Sequence, residues 1–136
     1  MNAKITLIKI EMIKKLKEEL GEGRYLDTPS ILKAEDCEPF CVAISSDSSI
    51  SYDEIAQGSV IKCRVPIALD LYVVKKRQPE LDLLSQKVIS KLLEDQTLSG
   101  QVNKLSITKS EIRTLNTEKK TKALMFDFEV YYYRQA

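Results

Sequence analysis

The sequence predicts an α+β fold, a mixed four-stranded sheet with two helices on one face, in the order α-β-β-α-β-β. Three observations lead there. Apolar residues recur at steps of three and four in two stretches, Ile5 to Leu20 and Leu81 to Leu93. The run Ser59 to Lys75 alternates apolar residues with a period of two. The run Ala123 to Arg134 alternates in the same way.

The first helix spans about Lys4 to Leu20. Ile5, Ile8, Met12, Leu16 and Leu20 form its apolar stripe, with Ile13 beside them, and Lys14, Lys15, Lys17, Glu18 and Glu19 fill the other face. Gly21 and Gly23 stop it. Residues 24–38 are polar and interrupted by Pro29, so they read as a loop with room for a short strand near Ile31-Leu32. Phe40-Cys41-Val42-Ala43-Ile44 reads as a short strand entered through Pro39. Ser45 to Gly58, rich in Ser and Asp, reads as a long loop.

Ser59 to Lys75 is the most informative stretch. Ile61, Cys63, Val65, Ile67, Leu69, Leu71 and Val73 share one parity and line one apolar face. The other parity is mixed: Lys62, Arg64, Pro66, Ala68, Asp70, Tyr72. At ~3.3 Å per residue the strand is roughly 50 Å long. It either bends, with Pro66 as the natural place, or projects in part as an arm.

Lys75-Lys76-Arg77-Gln78 turns the chain, and Pro79 is expected at the first position of the second helix. Leu81, Leu84, Val88 and Leu92 form its stripe, widened by Ile89 and Leu93. The helix ends near Asp95, before Gly100. Glu94 and Asp95 have the wrong sign for a helix C-terminus, and periodicity offers no reason for them. Val102 to about Arg113 is a strand in which Leu105 and Ile107 share a face and Ile112 does not. That parity change predicts a β-bulge near Ser110. Asn116 to Lys120 turns the chain into the last strand. There Leu124, Phe126, Phe128, Val130 and Tyr132 face one way, and Met125, Asp127, Glu129, Tyr131 and Tyr133 the other.

Composition narrows the function. A chain of 136 residues predicts a single domain, 1–136, large enough for one hydrophobic core. The 21 Lys+Arg nearly balance 20 Asp+Glu, unlike a generic polyanion binder. The absence of histidine removes the commonest general base and every Ser-His or Cys-His pair. A structural or binding protein is therefore expected rather than an enzyme. No apolar run approaches the ~18–20 residues that span a bilayer, and Lys9, Glu11, Lys14 and Lys15 break any signal-peptide core.

Cys37, Cys41 and Cys63 are an odd set, expected as small buried thiols in a reducing compartment rather than metal ligands. Four scattered glycines make no phosphate loop. No cofactor and no small-molecule substrate are implied. Asp127 and Glu129 share a strand face, where cross-strand Lys or Arg is the expected partner. The basic runs Lys75-Lys76-Arg77 and Lys119-Lys120-x-Lys122 suit an acidic protein partner better than nucleic acid. Tyr131 and Tyr133 are candidate interface residues, because alternation turns Tyr132 into the core.

The element pattern resembles the tail terminator (tail-completion) proteins of long-tailed bacteriophages and prophages. The resemblance rests on an amphipathic first helix and the strand entry Glu35-Asp36-Cys37-Glu38-Pro39-Phe40-Cys41-Val42. It rests also on the long strand Val65 to Val73 leading into the Leu81–Asp95 helix, and on the ending Phe126-Asp127-Phe128-Glu129-Val130-Tyr131-Tyr132-Tyr133-Arg134. It covers nearly the whole chain as a pattern of elements rather than a motif. It implies a homo-oligomeric ring, usually a hexamer, that caps the finished tail tube, stops its polymerisation and offers the surface to which the head joins. The implied partners are the chain itself, the tail tube protein and a head-connector or neck protein, with DNA only passing through the ring. The implied location is the virion tail, after assembly in the host cytoplasm. The family brings no catalytic residues. Lys75, Lys76 and Arg77, with the Ser45–Gly58 loop, are expected interface elements. Other readings are a different neck or tube component, or a small nucleic-acid-binding α+β module.

Overall fold

The computed structural model describes residues 3–26, 39–46, 50–54, 60–116 and 120–135. Its elements are α1 (Ala3–Leu20), β1 (Arg24–Leu26), β2 (Cys41–Ser45), β3 (Ser51–Glu54), β4 (Val60–Val74), α2 (Gln78–Leu93), β5 (Lys104–Asn116) and β6 (Thr121–Gln135). The class is α+β as expected, but among the described residues the mixed sheet has six strands rather than four. Its order is β1-β2-β4-β6-β5, with β3 also pairing β4.

The sheet is built on β4 and β6, which pair antiparallel over all 15 residues of each, from Val60↔Gln135 to Val74↔Thr121. The long strand is therefore paired along its whole length. Its other edge is shared: β2 pairs with 68–72 and β3 with 61–64. Pro66 falls in the gap between the two, where a missing N–H leaves no β2 or β3 partner unsatisfied. β1 and β3 correct the expectation of loops at 24–38 and 45–58. β1 adds parallel to β2, with Arg24 opposite Cys41. Each is too short to show a periodicity of its own, and the free edge beside it decides its state. The expected strand near Ile31-Leu32 and the residue Cys37 lie outside the described residues.

The predicted parities hold. Val65, Ile67, Leu69 and Leu71 stand opposite Val130, Phe128, Phe126 and Leu124. All are buried in one cluster with Ile5, Ile8, Met12 and Leu16 of α1 and Leu81, Val88 and Leu92 of α2. Both helices thus cover the same sheet face. Lys91 Nζ joins Glu18 at 3.2 Å and Lys15 Nζ joins Asp95 at 3.5 Å across the helix pair. Gly21 ends α1 at φ 81°, its N–H donating to the Lys17 carbonyl at 3.0 Å. Gly23 is required for a different reason, because a Cβ there would lie 2.3 Å from the Phe40 ring. Pro79 occupies the second helical position rather than the first, another site whose N–H has no partner within the helix.

The bulge in β5 falls between Ile107 and Lys109, at Thr108 rather than Ser110. It returns Ile112 to the Leu124 side, as the parity change required. A second register shift, between Thr114 and Asn116, has no counterpart in the apolar pattern and makes Leu115 an extra residue.

Asp95 also finds its reason here. Its carboxylate accepts from Thr97 N–H at 3.0 Å, Thr97 Oγ1 at 2.6 Å and Ser99 N–H at 2.9 Å. It thereby fastens a turn in which Leu98, Ser99 and Gly100 all have positive φ. These hydrogen bonds, the Thr97 hydroxyl first, hold the carboxyl well below the usual carboxylate range. Asp95→Ala should destabilise the fold by about 1 kcal/mol, as loss of a cap does. A depressed folded pKa adds stability that is present above the unfolded value, ~3.9, and is lost as pH falls toward the folded one. Asp95→Ala should therefore flatten the acid side of the stability–pH curve below about pH 4, measured by urea unfolding.

Candidate interaction surfaces

The two basic runs meet in space. Val73 and Val74 stand opposite Lys122 and Thr121, and Lys75 N–H donates to the Lys120 carbonyl at 3.0 Å. Both lysines adopt positive φ, 56° and 55°, so the backbone turns sharply on each side of that bond. Lys75, Lys76, Arg77, Lys120 and Lys122 thus form one basic end of the sheet. Glu80 is its internal counter-charge, 3.9 Å from Lys76 Nζ and 3.7 Å from Arg77 Nε. Glu80 also accepts the Arg77 N–H at 3.1 Å, which caps α2. That backbone bond is the first cause of its lowered pKa, ahead of the charges of Lys76 and Arg77. Lys75, Lys120 and Lys122 have no ion-pair partner among the described residues.

Tyr131 and Tyr133 lie near the opposite end of the same ladder, opposite Arg64 and Lys62. Their rings meet edge-on, centroids 5.8 Å apart, and Lys62 Nζ sits 4.2 Å from the Tyr131 centroid. Arg64 in turn pairs with Asp53 at 3.0 Å. Tyr132 packs against the core, as alternation required. Arg64 stands 11 residues before Lys75 along β4, a separation of about 36 Å. The candidate interface residues therefore form two surfaces rather than one.

Between these ends runs the side of the sheet that faces away from α1 and α2. Tyr72 Oη donates to Asp70 Oδ2 at 3.2 Å. Burial raises the Asp70 carboxyl, and nearby Asp127 adds to the rise, while the Tyr72 bond and the Arg113 charge oppose it. Register puts Lys109 opposite Asp127 and Ser106 opposite Glu129, so only the first acid has a basic residue directly across. A shallow cleft of about 410 Å³ opens here, lined by Pro66, Ala68, Thr108, Asp127 and Glu129. Cys41, Ala43, Val74, Thr121 and Ala123 share this side's parity and are buried, so the side is open only in part. The side chains of Cys41 and Cys63 are buried, and the described residues contain no group of three or more potential metal ligands.

On the helix side, a groove of about 380 Å³ lies between the end of α1, the first turns of α2 and the entry to β2. Periodicity missed this groove, because it arises from three elements distant in sequence. Leu115 was also missed, although an apolar residue in the polar run before Asn116 was a signal. For Asp95 the signal was the Asp-x-Thr spacing.

No described helix is long and apolar enough to cross a membrane. No protein-family model matches the chain, and no curated protein matches its sequence. In fold it is similar to a chain of a solved structure titled "Virion of native gene transfer agent (GTA) particle". The TM-score is 0.56 at 8% identity, covering 98% of this chain and 100% of that one. At that identity, the likeness is one of fold, and it extends over essentially the whole of both chains.

Proposed function

We propose that the chain is a structural component of a phage-like particle and, within that class, a tail terminator. It forms a homo-oligomeric ring, a hexamer, on the finished tail tube. The ring ends tube polymerisation and presents the surface that a head-connector or neck protein joins. It works in the virion tail after assembly in the host cytoplasm, and DNA meets it only in passage. It is not an enzyme and uses no cofactor.

The observation that supports this most is the full-length fold similarity to a chain from a virion particle. The element pattern read in the sequence points to the same class independently. The surface fits as well, since a subunit in a ring must offer different patches to its two neighbours. The described surface has a basic end and an aromatic end about 36 Å apart.

Native mass spectrometry across a concentration series should show a closed oligomer with a single stoichiometry. A strict monomer that binds single-stranded DNA tightly, with a steep dependence on salt, would instead favour the nucleic-acid module.

A further inference from the structure

We draw no further inference here: the strongest candidate, the apolar groove on the helix side between the end of α1, the first turns of α2 and the entry to β2, with Leu83 exposed at its rim, carries nothing because nothing in the structure shows what covers it.

Discussion

Phe126→Ala is expected to destabilise the fold by about 3–5 kcal/mol, the range for a fully buried aromatic replaced by alanine. Phe126 is 1% exposed and sits at the centre of the β4–β6 ladder, opposite Leu69. Its ring centroid lies 6.3 Å from that of Phe128. Truncation removes the apolar transfer gain and leaves a cavity between sheet and helices that rigid strands on both sides cannot collapse to fill. Domains of this size have only about 5–15 kcal/mol to lose. The variant should therefore show a large fall in the urea midpoint, measured by far-UV circular dichroism. Tyr133→Ala is the matched control: the ring is on the same strand but 44% exposed. It should shift stability by less than about 1 kcal/mol. A Phe126→Ala loss as small as that of Tyr133→Ala would contradict the burial of the ladder beneath the two helices.

The second large effect concerns assembly rather than stability. Lys75→Ala, Lys76→Ala and Arg77→Ala together should cut the yield of headed particles by about tenfold or more. The cost to folding should stay within about 1 kcal/mol, because the ion pairs lost are exposed. Glu80 loses two charge partners in that variant, but the backbone N–H of residue 77 still caps α2 through it. Surface and fold can therefore be separated: a thermal midpoint close to that of the unsubstituted chain, with poor particle yield, is the expected combination. Particle counts by electron microscopy and a melting curve on the same variant test it. An undiminished yield would remove these three residues from the interface.

What could be read in the sequence was whatever repeats over a long enough stretch. The α1 and α2 stripes and the β4 and β6 alternations each contain at least four apolar residues in phase, and their buried faces appear as expected. β1 and β3 were illegible because three or four residues carry no phase. Their strand state depends on the part of the β4–β2 edge that remains unpaired. The first β5 bulge could be bracketed only between Ile107 and Ile112, since no apolar residue between them marks the slip. The second bulge had no later apolar residue to reveal it. The candidate surfaces were legible as residues and not as places. Lys75-Lys76-Arg77 and Lys120-x-Lys122 join only because β4 pairs with β6 to its last residue, and the same pairing sends Tyr131 and Tyr133 to the far end. Asp95 shows the converse, a residue that contradicts the helix dipole yet serves the turn that follows it.

The most direct test of the central claim is the length of the tail tubes made when the gene for this chain is deleted from the genome that encodes it. Negative-stain electron microscopy of the lysate supplies the measurement. A tail terminator predicts tubes of unregulated length without heads, and a return to uniform, headed particles when the unsubstituted chain is supplied in trans, but not when the Lys75, Lys76, Arg77 triple-alanine chain is supplied. Headed particles with tails of normal length in the deletion strain would contradict it.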